Sequence, residues 1–509
     1  MSKWQPSHPS GTVMVCGTTS NAGKSTVAAA LCRHYARRGA RVAPFKAQNM
    51  SNNSAVTPAG HEIARSQAWQ AKAAGVDAEV AMNPVLLKPM GERHCQVVVM
   101  GCPLGTMTAA EYHRMKPELL GVALGALADL RGRYDVVILE GAGSPAEINL
   151  LDADIVNLRL AHDAGLPAIV VGDIDLGGVF AALFGTVALL PDEYRALVRG
   201  FVVNKFRGDP ALLFDGTARL HERTGVPTLG VLPWLDGPEI DSEDSLALDR
   251  PLGVAPGDGD VAGPAGELDL LDVAVVRLPH IANFTDIDPL RLEPGVRLRW
   301  VDDARSVGQP DLLVVPGSKT TVADLAWLRG RGLDRAVEAA RGVVLGICAG
   351  YQMLGRSIAD PERVESAERV VDGLGVLDAS TTFGPRKVTR WRHGHVLGRP
   401  ASGYQIHHGV VRTSGPAFVE LDDGTGDGAM GTTPGGGAVW GTSLHGLLES
   451  DQARAALLEQ VARKAGKRIG HGGSFEATRQ RRIDRLADAV EAHLDMDALD
   501  TILAQGALA

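Results

Sequence analysis

Cysteine is scarce in this sequence, and its spacing excludes two common uses of the residue. The 509 residues include only Cys16, Cys32, Cys95, Cys102 and Cys348, and no two of them form a Cys-x-x-Cys pair. This pattern argues against a disulfide framework and against a cysteine zinc site. Reduced thiols are instead typical of a cytoplasmic protein.

Clustered positive charge and long apolar runs are also lacking. The net charge is −9 and no long basic run occurs, so we expect no nucleic-acid partner. The longest uncharged apolar run, residues 176–190, is too short to span a bilayer and predicts a buried core helix. Residues 1–10 have no apolar stretch of the signal-peptide type. We therefore expect small-molecule partners, no membrane and a cytoplasmic location.

The first half of the chain alternates short apolar runs with helical segments, which predicts a doubly wound, mainly parallel α/β sheet. Helices are expected at residues 25–38 and 153–164. Because ligands of such sheets lie beyond the carboxyl ends of the strands, functional residues are expected there. The predicted strands are residues 13–15, 42–45, 136–139, 168–171, 201–203 and 228–231.

A second α/β series follows a stretch rich in Gly, Pro and Asp. We predict domains at residues 1–250 and 271–465, a linker at 251–270 and a helical extension at 466–509. Residues 422–437 are expected to form an exposed loop. Residues 475–503 have the spacing of an amphipathic helix, which we expect to pack on a domain surface. Further strands are predicted at residues 273–276, 312–315 and 343–345, and helices at 322–328 and 333–340.

Residues 13–26 predict a nucleotide phosphate site. An apolar strand leads into a Gly-rich turn and a helix, so backbone N–H groups converge on one spot. Five residues rather than four separate Gly17 from the Gly23-Lys24 pair. A lysine here reaches the β- and γ-phosphates, and the following serine can hold Mg²⁺. The candidate ATP-binding residues of this loop are Gly17, Thr18, Gly23, Lys24, Ser25 and Thr26.

Polar residues at other strand ends extend this site. Glu140 ends a predicted strand and is a candidate Mg²⁺ ligand together with Ser25. Asn204 is a candidate reader of the purine edge. Asp173 and Asp175 would contact metal or substrate, or would cap the next helix. The amide-rich segment 44–54 would bind a polar ligand or form a self-satisfied turn.

In the second half, Gly346-x-Cys348-x-Gly350 lies between a strand and a helix and predicts a nucleophile elbow. A helix N-terminus activates a thiol, and the N–H groups of Ala349 and Gly317 are candidates for an oxyanion hole. A thiolate needs a base, for which His445 is the first candidate, with His407 and His408 as rivals. The third member of the site stays open: Glu449 follows His445 by four residues.

Together these motifs resemble the cobyric acid synthase family, the glutamine-dependent amidotransferases of cobalamin synthesis. The likeness runs over nearly the whole chain. It is carried by residues 17–25, 43–50, 82–89, 139–149, 173–180 and 203–209, the Cys348 elbow and residues 443–446.

The resemblance implies a dethiobiotin-synthetase-like P-loop domain, with a mainly parallel sheet, joined to a class I glutamine amidotransferase-like α/β domain. It implies Cys348 as the glutaminase nucleophile, His445 as its partner, and ATP with Mg²⁺ as cofactors. The implied substrate is (adenosyl)cobyrinic acid a,c-diamide, amidated at its b, d, e and g carboxylates. Ammonia would then need a protected path between the domains.

Two alternatives are weighed against this function. The nearest is the sister enzyme that makes the a,c-diamide, against which residues 46–50 and 173–178 argue. The other is a partition-type or regulatory ATPase, which would have no use for the Cys348 elbow. Assays on cobyrinic acid and on its a,c-diamide distinguish the sister enzyme from the implied function. A Cys348→Ala variant tests the ATPase alternative.

Overall fold

The computed structural model describes residues 9–91, 94–235, 241 and 269–505. The predicted linker, residues 251–270, lies outside the described residues up to position 268. An α/β body precedes that segment and another follows it.

The first body contains twelve strands among the described residues. In chain order they are β1 (Gly11–Gly17), β2 (Val42–Phe45), β3 (Gln48–Met50), β4 (Ser54–Val56), β5 (Glu62–Ala64), β6 (Val85–Pro89), β7 (His94–Val99), β8 (Cys102–Thr108), β9 (Val136–Glu140), β10 (Ala168–Asp173), β11 (Val198–Phe206) and β12 (Thr228–Pro233). The helices are α1 (Lys24–Arg37), α2 (Arg65–Ala74), α3 (Ala109–Arg133), α4 (Leu158–Asp163), α5 (Val179–Ala188), α6 (Asp192–Arg195) and α7 (Phe214–Thr224), with 3₁₀ turns at Val80–Met82, Leu151–Ala153 and Pro210–Leu213.

Six of these strands form the central sheet in the order β12-β11-β10-β1-β9-β2. Every pairing is parallel, so the predicted doubly wound fold is confirmed. Alternate residues of β1 enter different hydrophobic clusters, Met14 in one and Val13 with Val15 in the other. Both faces of the sheet are therefore covered. The carboxyl ends of β1, β9, β10 and β11 meet at one edge.

Two helix predictions in this body are wrong. The helix expected at residues 153–164 is only α4, because the Asp154 carboxylate accepts the N–H groups of Val156 and Asn157 and turns the chain there. The apolar run 176–190 forms α5 on the surface rather than a core helix. Its start is delayed by two glycines with positive φ, and Leu176 is 74% exposed.

The second body is built from twelve strands and five helices. The strands are β13 (Leu271–Val276), β14 (Val296–Val301), β15 (Leu312–Val315), β16 (Val343–Ile347), β17 (Ser357–Ala359), β18 (Val370–Asp372), β19 (Ala379–Val396), β20 (Arg399–Thr413), β21 (Val419–Leu421), β22 (Gly426–Asp427), β23 (Ala429–Thr432) and β24 (Ala438–Thr442). The helices are α8 (Ala304–Val307), α9 (Thr321–Gly330), α10 (Leu333–Glu338), α11 (Ala349–Leu354) and α12 (Asp451–Ala465), with 3₁₀ segments at Phe284–Leu292 and Leu447–Glu449.

Its main sheet has the order β14-β13-β15-β16-β24-β23, and only the edge pair β23–β24 is antiparallel. A long hairpin of β19 and β20 belongs to a second sheet. The prediction of an exposed loop at residues 422–437 is wrong. The segment contains β22 and β23, and Ala429 is buried. Its many glycines disfavour strands, but backbone pairing with β21 and β24 stabilises them.

The C-terminal helices α13 (Phe475–His493) and α14 (Met496–Gln505) return to the first body. Ile483 and Leu486 share a hydrophobic cluster with Leu31 of α1, and Arg33 pairs with Asp484 at 2.7 Å. The amphipathic face predicted here is thus buried against the first body. The end of the chain ties the two bodies together.

Candidate active sites

The phosphate loop joins β1 to α1 at the sheet edge, and two glycines make its path possible. Gly23 has φ +99°, and a Cβ atom there would lie 2.0 Å from Nδ2 of Asn204. A Cβ atom at Gly17 would lie 2.8 Å from the Lys24 side chain. The Thr18 N–H donates to the Val171 carbonyl at 2.9 Å, which fixes the loop to β10. A side chain at either position would collide with its neighbours, so the loop requires glycine at both.

The Lys24 ammonium is buried under this loop. It donates to the carbonyls of Thr19 (2.8 Å), Ser20 (3.2 Å) and Gly143 (3.0 Å). Thr26 lies in the first turn of α1 and is half-buried. These contacts hold a positive charge at the helix N-terminus, where a phosphate chain would bring the compensating negative charge.

Glu140 is 1% exposed and is surrounded by donors. Ser25 Oγ and Lys46 Nζ each lie 2.8 Å from its Oε1, and Gln70 Nε2 lies 2.5 Å from its Oε2. The Ser25 and Glu140 oxygens suit Mg²⁺, and the Lys46 ammonium already places a cation beside them. A metal ion bound here would compete with Lys46 for Glu140.

The polar residues at and near the carboxyl ends of β10 and β11 form hydrogen bonds and ion pairs within the protein itself. Asn204 donates to the Ala22 carbonyl of the phosphate loop at 2.9 Å. Asp173 pairs with Lys205 at 2.6 Å and accepts the Asp175 N–H at 2.9 Å. Because α5 begins only after Gly178, neither aspartate caps it. Asn204 thus contacts the loop, with its amide nitrogen occupied.

The amide-rich segment 44–54 is largely self-satisfied and also reaches the second body. Asn49 donates to the Gln67 side chain at 2.8 Å. Asn53 Oδ1 accepts the N–H of Phe284 at 3.1 Å. Of the two interpretations that the sequence leaves open, these contacts fit the self-satisfied turn. Asn53 also forms part of the interface with the second body.

Cys348 occupies a sharp turn between β16 and α11. Its φ is +52° and its ψ −107°, a conformation that a non-glycine residue rarely adopts. Cβ atoms at Gly346 and Gly350 would lie 2.6 Å from a Leu354 methyl carbon and 1.9 Å from the Val315 carbonyl oxygen. The small neighbours predicted for an elbow are therefore required by packing.

His445 and Cys348 line the same pocket. Nδ1 of His445 lies 2.7 Å from Asp286 Oδ2, and the other oxygen of Asp286 accepts the Gly446 N–H at 2.8 Å. Burial lowers the pKa of His445, but the charges of Asp286 and Cys348 outweigh it and raise the pKa to about 10. This arrangement favours an imidazolium next to the thiol.

Asp286 is the residue that sequence reasoning missed. It precedes His445 by 159 positions and lies on the 3₁₀ segment Phe284–Leu292, which follows β13. The available signal was the pair Asp286 and Asp288, two acids spaced two apart with the apolar Ile287 between them. Both are buried.

The rival histidines differ from His445 in their surroundings. Burial lowers the pKa of His407 and of His408 to about 4. His408 Nδ1 lies 3.2 Å from the Gly384 carbonyl oxygen. Both rings line the Cys348 pocket as neutral groups.

The two candidate oxyanion donors flank the same pocket. Ala349 opens α11 directly after the cysteine. A Cβ atom at Gly317 would lie 3.0 Å from Cε1 of His445, and the Gly317 carbonyl accepts the Ala282 N–H at 2.9 Å. The structure therefore brings Cys348, His445, Gly317 and Ala349 together.

Comparisons with known proteins match both bodies. A CobQ/CobB/MinD/ParA nucleotide binding domain matches residues 13–246, and a CobB/CobQ-like glutamine amidotransferase domain matches residues 272–453. A cobyric acid synthase of Nocardia farcinica is 52% identical over 98% of this chain and 97% of its own length. The chain belongs to the cobyric acid synthase family.

Other members of this family agree. The Streptomyces coelicolor cobyric acid synthase is 51% identical, covering 98% of this chain and 97% of its own. A solved glutamine amidotransferase aligns with a TM-score of 0.28 and 21% identity, over 38% of this chain and 98% of that one. A likeness that low adds nothing to the family assignment.

In this family member the Cys348 pocket lies at the contact between the bodies. Lys88 of the first body lines it, together with Asn283 and Lys387 of the second. Lys88 and Lys387 both bind the buried carboxylate of Glu62, Lys88 at 2.6 Å. The glutaminase-like site therefore faces the nucleotide-binding body rather than open solvent.

A second buried network joins the bodies behind His445. Glu449 binds Arg65, at the start of α2, and Arg479 of α13. Both arginines also bind Asp241, and the Tyr404 hydroxyl contacts Arg65. Glu449, left open as a partner of His445, thus serves the interface.

Across the described ranges, no helix is long and apolar enough to cross a membrane, and no group of three or more His, Cys, Asp or Glu side chains is arranged to hold a metal ion.

Proposed function

We propose that this protein is a glutamine-dependent amidotransferase that uses ATP to convert the b, d, e and g carboxylates of (adenosyl)cobyrinic acid a,c-diamide into amides, giving cobyric acid. One observation carries the proposal. A single chain joins a phosphate loop with a buried lysine to a Cys348–His445–Asp286 constellation across a shared, buried interface.

At the glutaminase site, the Cys348 thiolate attacks the side-chain amide carbon of glutamine. The N–H groups of Gly317 and Ala349 stabilise the oxyanion. His445, protonated beside Asp286, gives its proton to the departing ammonia, and it then takes a proton from the water that hydrolyses the thioester to glutamate. The raised pKa of His445 supports its role as the proton donor.

At the synthetase site, the phosphate loop binds ATP through Gly17, Thr18, Gly23, Lys24, Ser25 and Thr26, with Asn204 beside it. A carboxylate is a poor electrophile, so its oxygen first takes the γ-phosphoryl group to form an acyl phosphate. Ammonia displaces phosphate and forms the amide. Ser25 and Glu140 would hold Mg²⁺, which when bound neutralises phosphate charge.

Ammonia is formed in a pocket that Lys88 of the first body lines, which supports a protected path between the two sites. The buried contacts of Glu62 with Lys88 and Lys387 exclude solvent from that boundary. The domain limits 1–250, 251–270, 271–465 and 466–509 and the cytoplasmic location stay predictions.

The test separates the two nitrogen sources. In Cys348→Ala, amidation with glutamine should be lost, and amidation with added ammonia should persist. Cys102→Ala, at an exposed cysteine, is the matched control and should keep both activities. Full glutamine-dependent activity in Cys348→Ala would refute the assignment, and loss of both activities would show that Cys348 serves folding or the synthetase step.

A further inference from the structure

The pocket beside Cys348 contains charged side chains for which the glutaminase chemistry above has no use. Lys88, Lys319 and Lys387 line it, together with one carboxylate, that of Glu365. A buried charge is costly unless another charge compensates it. The partners of each group therefore indicate which charges are left for a ligand.

Two of the three lysines have an ion-pair partner. Lys88 and Lys387 share the carboxylate of Glu62, and Lys88 also donates to Ser54 Oγ at 2.8 Å. The third differs from them. Among residues 9–91, 94–235, 241 and 269–505, the Lys319 ammonium has no hydrogen-bond or ion-pair partner.

Lys319 is held in place by its backbone rather than by its charge. It follows Ser318 in the loop after β15, and its N–H donates to the His280 carbonyl at 2.9 Å. Burial lowers the pKa of Lys319, and the positive charge of Lys88 lowers it further. An anion in the pocket would relieve both effects.

Glu365 is the opposite charge in the same pocket. Its carboxylate accepts the N–H of Thr321, the first residue of α9. Burial raises the pKa of Glu365 to about 7, and the charge of Lys319 opposes this rise. A cation beside the carboxylate would favour its ionised form.

We propose that Lys319 binds the α-carboxylate of substrate glutamine and that Glu365 binds its α-ammonium group. The inference rests on the proposed glutaminase function, because the amide end must reach Cys348. At the end opposite its amide, glutamine carries one negative and one positive charge. Among the described residues that line the pocket, these charges match the one lysine ammonium without a hydrogen-bond or ion-pair partner and the one carboxylate. The two side chains are binding and specificity residues that leave the reacting atoms to Cys348 and His445.

Two truncated substrates test each contact separately. 4-Aminobutanamide is glutamine without its α-carboxylate, and glutaramic acid is glutamine without its α-amino group. Lys319→Met should lower kcat/KM for glutamine by about 10- to 100-fold, the range expected for losing a hydrogen bond between charged groups. The same substitution should leave hydrolysis of 4-aminobutanamide nearly unchanged.

Glu365→Gln should lower kcat/KM for glutamine and leave kcat/KM for glutaramic acid almost unchanged. Ammonia-dependent amidation by each variant reports that the protein is folded. An equal fall in kcat/KM for glutamine and for the matching truncated substrate would overturn the proposal. The side chain would then maintain the shape of the pocket without binding the α-group.

If the truncated substrates are hydrolysed too slowly by the wild type, the kinetics of glutamine itself decide. Recognition of the α-groups predicts a higher KM with little change in kcat, and a fall in kcat alone overturns the proposal. A wild-type protein that hydrolyses none of the three amides would instead refute the glutaminase function. The two failures are therefore distinguishable.

Discussion

Asp286→Asn is the substitution that probes the glutaminase site most sharply. The change keeps the size of the side chain and leaves one oxygen that can accept the Gly446 N–H, which Asp286 binds at 2.8 Å. It removes the negative charge that lies 2.7 Å from Nδ1 of His445. The hydrogen bond that the protonated Nδ1 donates to Asp286 is lost with that charge, because the amide nitrogen that would face Nδ1 can only donate.

The size of this loss follows from the pKa of His445. A pKa of about 10 against the ordinary 6.5 corresponds to about 5 kcal/mol in favour of the imidazolium. This net figure already includes the opposing cost of burial, so the favourable interactions of His445 with Asp286 and Cys348 together exceed it. If Asp286 contributes about half, its loss costs about 2–3 kcal/mol, and the reactive thiolate–imidazolium pair becomes about 10²-fold rarer.

The assay is glutamate release from glutamine, together with the rate at which iodoacetamide alkylates Cys348 at neutral pH. Both should fall about 10²-fold in Asp286→Asn, while ammonia-dependent amidation persists. Asp288→Asn is the matched control on the same segment. Burial raises the pKa of Asp288 to about 7, so a neutral amide replaces a group that is half protonated at that pH. Equal effects of the two substitutions, or none from Asp286→Asn, would refute the triad.

Three further outcomes follow from the geometry. Lys24→Ala should abolish amidation with either nitrogen source and leave glutaminase activity measurable, and loss of glutaminase activity as well would point to misfolding. Gly23→Ala should weaken ATP binding at least tenfold in a calorimetric titration. Residue 23 has φ +99°, and the added Cβ would lie 2.0 Å from Asn204 Nδ2. Gly225→Ala is the control, because residue 225 also has a positive φ but its added Cβ would meet open space. Because burial raises the pKa of Glu365 to about 7, the KM for glutamine should rise as the pH falls below 7, and a flat profile would contradict its role.

Local signals were sufficient for the parts of the fold and site that lie together in sequence. The phosphate loop and the Cys348 elbow each combine a strand, a turn and a helix start within about fifteen residues. Steric rules that govern such turns are visible in the glycine spacing alone. The parallel strands were equally clear, because burial on both faces leaves continuous apolar runs.

Contacts between distant segments could not be read in the same way. Asp286 meets His445 only because the segment after β13 folds over the end of β24. The amphipathic spacing of α13 predicted a packed face without naming its partner, α1. The strands β22 and β23 were missed because their glycines indicate loop, whereas pairing with their neighbours decides the structure.

The placement of the pocket suggests why the two bodies share one chain. Arg65 binds Glu449 of the second body, and Gln70 on the same helix binds Glu140 beside the phosphate loop. Helix α2 thus connects Glu140, beside the phosphate loop, with the interface network behind His445.

The central claim is that ATP-dependent carboxylate activation and glutamine hydrolysis combine to amidate a corrinoid. The most direct measurement is mass spectrometry of the corrinoid formed from cobyrinic acid a,c-diamide with ATP, Mg²⁺ and ¹⁵N-amide-labelled glutamine. We expect a product that carries four new amides, each labelled. An unchanged a,c-diamide, or amidation of cobyrinic acid that stops at the a,c-diamide, would contradict it.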